Sequence, residues 1–184
     1  IEVDPTLAFD TEGTIAEAQR LHELIDRPNL FVKIPATEPG LPAIEEAIFA
    51  GIPVNVTLLF SREHYLAAAD AYLRGIERRI AAGLDPYVAS VASVFISRWD
   101  AAVAGQVPDA LVNRLGIAIA SRMHAAYRRT FASPRWRRAY NMGARPQRLL
   151  WASTGTKDPK APDTFYVDAL SSPLSVNTMP EGTL

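Results

Sequence analysis

The 184-residue chain contains no cysteine, so neither a disulfide framework nor a thiolate metal site can be built from it. Histidine is scarce too: His22, His64 and His124 fall on separate helix-like segments with no metal-ligand spacing, which argues against a metal centre. No apolar run approaches the roughly 20 residues that a membrane helix needs, and the N-terminus lacks the basic, apolar and small-residue layout of a signal peptide. A formal net charge of -1 supplies no global attraction to nucleic acid or to an anionic membrane. No Gly-rich nucleotide-binding turn follows any strand-like run, and no fixed-period repeat or low-complexity segment stands out. What remains, at 48% hydrophobic and 21% charged, is the composition of one folded domain over residues 1–184. The expected setting is a reducing cytoplasm, with neither nucleic acid nor membrane as a partner.

Lysine is the rarest charge. Three lysines stand against sixteen arginines, and Lys33 is the only lysine before Lys157. It lies inside the apolar run Leu30-Phe31-Val32-Lys33-Ile34-Pro35, where solubility is a poor reason for it. Arginine stays protonated in proteins, whereas a desolvated lysine can become a free amine and attack a carbonyl. Schiff-base chemistry is one expectation; a snorkelling edge-strand lysine or half of a buried Lys–Glu pair fits the position as well.

Runs rich in apolar and β-branched residues alternate with stretches of helical period. Strands are expected at Ile1–Val3, Leu30–Pro35, Val54–Phe60, Tyr87–Ile96, Arg148–Thr154 and Ser175–Met179, six in all. Helices are expected at Thr11–Ile25 behind an Asp10 cap, with Ile15, Ala18, Leu21, Leu24 and Ile25 on one face, at Leu41–Ala50 before Gly51, and at Ser61–Ala82 before Gly83. A longer helical stretch follows Arg98, breaks around Gly105–Pro108 and runs to about Phe131. This order predicts a parallel α/β fold, either an open doubly wound sheet or a (β/α)8 TIM barrel.

Polar residues favour the barrel. Side chains alternate along a strand, so Asn55 and Thr57 share one face while Val54, Val56 and Leu58 share the other. Lys33, Glu2, Ser93 and Ser153 add polar groups near the ends of their own strands. In a barrel these groups meet at the C-terminal mouth. In an open sheet a lysine and a glutamate would be stranded under helices at a cost of about several kcal/mol unless paired. Taken singly, Asn55 and Thr57 could merely satisfy backbone groups, and Ser93 and Ser153 could cap or turn.

The segments FVKIPATEPGLPAIEEAI, IPVNVTLLFS, VASVFISRWD and LLWASTGTKD resemble, in order, strand segments of the transaldolase family, and the likeness runs from EVDP to VNTMP. The resemblance implies a metal-free and cofactor-free transfer of a dihydroxyacetone unit from a ketose phosphate to an aldose phosphate, within the non-oxidative pentose phosphate pathway. It makes Lys33 the Schiff-base nucleophile, Glu2 a general acid/base acting through a water that Thr57 helps to hold, and Asn55 and Ser93 hydrogen-bonding partners of the three-carbon unit. Arg98 and Ser153 would hold the substrate phosphate, with Lys157 standing where the family often has an arginine. The family's first-strand aspartate has no counterpart, and Asp4 does not replace it. The chain is therefore expected to be an incomplete barrel of about six βα units, from the third strand to the eighth, with open sheet edges when taken alone.

Three rival readings remain at this level. A different lysine-dependent sugar-phosphate aldolase shares the chemistry up to the iminium. The arginines 128, 129, 135, 137, 138, 145 and 148, interleaved with Trp136 and Tyr140, could form a nucleic-acid patch, but the neutral charge and the missing recognition motif argue against it. A catalytically idle barrel would have no use for Lys33, Glu2, Asn55 and Thr57 together. Trp151 and the 135–140 segment could face a partner subunit, which leaves a homodimer open.

Overall fold

The computed structural model describes residues 1–183. Five parallel strands lie in the sequential order β1 (Val32–Pro35), β2 (Val54–Leu59), β3 (Ser90–Phe95), β4 (Arg148–Ala152) and β5 (Ser175–Asn177). Glu2 adds an isolated parallel bridge to Lys33 at the β1 edge. Helices fill the connections: α1 (Thr11–Ile25), α2 (Gly40–Ala50), α3 (Arg62–Ala81), α4 (Ser97–Ala102), α5 (Leu115–Ala132), α6 (Pro134–Asn141) and α7 (Phe165–Ala169). A parallel sheet whose neighbours follow chain order, with a helix in each crossover, is an arc of a (β/α)8 barrel.

Caps set the helix starts as the sequence predicts. Asp10 accepts from Gly13 N–H at 3.0 Å and Ser61 from His64 N–H at 3.1 Å. Several boundaries differ. The first expected strand is one bridge, and the Tyr87–Ile96 run begins its ladder only at Ser90, because Tyr87 is tied into a turn by Asp85. Helix α4 begins at Ser97 and so includes Arg98, and the break before α5 spans residues 103–114. Helices α6 and α7 have no counterpart in the sequence reading, and Leu24, expected on the buried face of α1, is 69% exposed.

The two faces of the sheet differ. Val32, Ile34, Val54, Val56, Ala92, Val94, Leu149 and Trp151 point outward under the helices and are buried. Trp151 therefore belongs to the core and offers no surface to a partner subunit. The alternation breaks at Leu58, where the register shifts between Val56 and Leu59. Leu58 takes a left-handed φ of 61° and is 37% exposed, while Leu59 takes the buried outward position. The expected Val54-Val56-Leu58 face thus ends at Val56.

Candidate active site

Register places the polar residues. Lys33 pairs with Asn55, which pairs with Val91, so their side chains share the inner face. On the other side the Glu2 bridge is pinned by Val3 N–H donating to Lys33 O at 3.1 Å and Lys33 N–H donating to Ile1 O at 2.7 Å. The Glu2 carboxylate consequently lies 3.4 Å from Lys33 Nζ. Asp4, two residues on, is occupied elsewhere: Thr6 donates to it from both backbone and hydroxyl, which holds its carboxyl below the ordinary value.

Ser93 Oγ donates to Asn55 Oδ1 at 2.6 Å, which fixes the amide with its nitrogen free to donate to a ligand beside Lys33. Thr57, one turn of the pleat above Asn55, is fully buried, and its hydroxyl has no hydrogen-bond partner among the described residues. Lys33, Glu2, Asn55, Ser93 and Thr57 therefore gather on neighbouring strands. One expectation does not hold for these residues: the Lys33 side chain is 32% exposed and that of Glu2 53%, because the arc is open and its inner face is uncovered.

A second cluster sits at the C-terminal ends of β3 and β4. The Arg98 guanidinium stacks on the Phe95 ring at 4.6 Å, and Phe95 packs against Phe60 at 5.4 Å between ring centroids. Phe60 is held in turn through its carbonyl, which accepts from Trp99 Nε1 at 2.9 Å. Ser153, directly after β4, has a left-handed φ of 56°, and its hydroxyl lies 3.0 Å from that of Ser97. Lys157 is not part of this cluster. It is exposed in the loop beyond, on a cleft shared with Asp158 and Tyr166. The sequence reading missed Ser97, Phe95 and Asp100. Asp100 is buried and accepts from Leu115 N–H at 2.9 Å, Gly116 N–H at 3.1 Å and Tyr166 Oη at 2.8 Å, tying α4 to α5 and α7. Their signal was their place in FISRWD, where Arg98 alone drew notice.

The remaining candidates fall away from the mouth. A cleft of about 690 Å³ between α5, α6 and the start of β4 is lined by Arg128, Trp136, Tyr140, Arg145 and Arg148 of the arginine-rich run and by none of the residues at the mouth. Arg135, counted in the arginine-rich run, is bound by Glu77 at 2.7 Å and Asp70 at 2.6 Å, and the Glu77 hydrogen bond raises its already high basicity. It is an intramolecular ion-pair partner and not a free phosphate ligand. His22, His64 and His124 stand on three different helices, and no helix of the described residues is long and apolar enough to cross a membrane.

Comparison with known proteins accords with this geometry. Residues 1–184 match the family model described as Transaldolase/Fructose-6-phosphate aldolase. The whole chain aligns at 52% identity with a transaldolase of Parafrankia sp. (strain EAN1pec), at 54% with one of Acidothermus cellulolyticus and at 53% with one of Thermobifida fusca. The aligned part is 52%, 51% and 52% of those proteins respectively, so the chain spans about half the length of the curated relatives it matches. With a family match over its full extent, the chain belongs to the transaldolase/fructose-6-phosphate aldolase family.

Proposed function

We propose that this chain supplies strands three to eight and most of the active site of a transaldolase. That enzyme moves a dihydroxyacetone unit from sedoheptulose 7-phosphate or fructose 6-phosphate to glyceraldehyde 3-phosphate or erythrose 4-phosphate, in the non-oxidative pentose phosphate pathway. The observation that carries the reading is the Glu2–Lys33 pair, 3.4 Å apart on one inner face beside Asn55 and Thr57. Lys33 Nζ adds to the donor's C2 carbonyl and loses water to give the iminium, which accepts the electron pair of the breaking C3–C4 bond. The C4 hydroxyl proton leaves to Glu2, acting as general base through a water that Thr57 helps to hold. The aldose product departs, the three-carbon enamine adds to the acceptor aldehyde and takes up a proton at the new hydroxyl, and water hydrolyses the resulting iminium to release the new ketose phosphate and free Lys33. Asn55, oriented by Ser93, steadies the covalent unit. Arg98 and Ser153 take the phosphate, with Lys157 contributing only if its loop swings toward them.

The test is borohydride trapping in the intact protein. Fructose 6-phosphate should leave a reduced three-carbon adduct on Lys33, and a label on any other residue, or none, refutes the assignment. The family description itself supports a second reading, because it also covers fructose-6-phosphate aldolase. That enzyme type would release dihydroxyacetone without an acceptor, so consumption of fructose 6-phosphate in the absence of erythrose 4-phosphate or glyceraldehyde 3-phosphate separates the two.

A further inference from the structure

Ser97 is the first residue of α4 and is fully buried, whereas Ser153 is partly exposed at the end of β4. Two contacts join them. Ser97 N–H donates to Ser153 O at 3.0 Å, and the two hydroxyl oxygens lie 3.0 Å apart. The backbone bond continues the ladder one step past the strand ends, since Ile96 N–H donates to Ala152 O at 3.1 Å. Ser153 needs such support, because a φ of 56° is disfavoured for any residue with a side chain.

A buried hydroxyl is costly unless it is used. Among the described residues, the Ser97 hydroxyl has one hydrogen-bond partner, Ser153 Oγ. Its burial keeps it from touching a ligand itself. Each hydroxyl has a single proton, so the direction of the bond matters. If Ser97 donates to Ser153, the Ser153 proton is free to point into the mouth; the reverse turns that proton inward. A phosphate can only accept from it, and so selects the first direction, and polarisation along the chain strengthens the outer bond.

We propose that Ser97 is a positioning residue for phosphate recognition: it holds Ser153 in its left-handed conformation and orients the Ser153 proton toward the phosphate monoester of the sugar. This rests on the phosphate role of Ser153 given above. Helix α4 then serves the phosphate with two consecutive residues, Ser97 acting through Ser153 and Arg98, stacked on Phe95, acting directly.

The experiment uses the full-length protein and two readouts: steady-state kinetics with fructose 6-phosphate, and equilibrium binding of inorganic phosphate. Ser97→Ala should raise the KM for fructose 6-phosphate and the Kd for phosphate about fivefold to tenfold, the worth of one hydrogen bond, while kcat falls by a smaller factor. Adding Ser97→Ala to Ser153→Ala should change neither constant further, because the first acts through the second. Ser97→Cys, close in volume and a poor donor, serves if the alanine variant does not accumulate folded. An unchanged phosphate Kd, a kcat loss larger than the KM rise, or additive effects in the double variant each overturn the proposal. Should Lys33 fail to trap fructose 6-phosphate in the wild type, the transaldolase reading fails instead, and the phosphate Kd still reports on Ser97.

Discussion

Thr57 carries a hydroxyl into a fully buried position without a hydrogen bond among the described residues. Such a hydroxyl costs about 1–3 kcal/mol unless a water satisfies it, as the one proposed above would, whereas a valine of nearly the same shape needs no partner at all. Its neighbour Leu58 adds strain with a left-handed φ of 61°, in the bulge that interrupts β2 directly after Thr57. Local stability is thus given up at two adjacent residues where β2 meets the mouth, the pattern expected when side-chain direction matters more than packing. Thr57→Val in the intact protein should raise the urea midpoint, by about 1 kcal/mol of stability, and lower kcat at least tenfold. A variant less stable than wild type and equally active would show Thr57 to be a packing residue. At this scale the sequence was a good guide where alternation held. Asn55 and Thr57 could be set on one face because a strand's period of two is readable from residue types. The bulge at Leu58 was not, because nothing in VNVTLLF marks the extra residue.

At the scale of elements, caps and long periodic helices were legible. Asp10, Ser61 and Gly51 mark ends by chemistry that acts within a few residues. Helix α6 was not, since PRWRRAYN has three arginines in eight residues; it buries Trp136 and Ala139, and its Arg135 pairs with Asp70 and Glu77 on α3. Such partners lie more than fifty positions away and leave no local trace. Asp100 is similar: it reads as one more surface aspartate, yet it caps α5 from another helix. The close approach is fixed by Gly116, where a Cβ would come within 2.7 Å of Ile96 O. Asp100→Ala strands three donors and should cost about 3 kcal/mol in denaturant unfolding. Because α4 also carries Arg98, the KM for fructose 6-phosphate should rise as well.

Tyr72 gives an element-scale prediction with a pH signature. It lies on α3, is fully buried, and donates to Arg145 O, locking the segment that leads into β4. Burial raises its phenol above the ordinary value of 10.0. A folded-state pKa above the unfolded one means that the contribution is complete below about pH 10 and is lost as pH climbs, since only the unfolded chain releases the proton there. Tyr72→Phe should be about 1 kcal/mol less stable than wild type at pH 8. That gap should narrow by about 1.4 kcal/mol for each pH unit above 10. Urea midpoints at pH 8 and pH 10.5 measure it, and a constant gap would place the titrating groups elsewhere.

The whole molecule is asymmetric in a way that bears on mechanism. Helices bury the outer face of the sheet, while on the inner face Lys33, Asn55 and Val91 stay partly exposed and the two edges, β5 and the Glu2 bridge, have no further strand beside them among the described residues. Parallel barrel strands are stable when both faces are covered, so in the closed barrel proposed above the remaining strands would exclude water from the inner face. Nucleophilic attack needs the neutral amine, and desolvation is what favours the neutral form of a lysine. The Glu2 carboxylate stands 3.4 Å from that amine. The segment of residues 1–184 on its own should therefore trap fructose 6-phosphate on Lys33 with borohydride at least tenfold more slowly than the full-length protein at pH 7, even when circular dichroism shows the helices intact. Equal trapping rates would mean that Lys33 reactivity is set by its immediate neighbours Glu2 and Asn55 alone, and that closure of the barrel contributes nothing to the nucleophile.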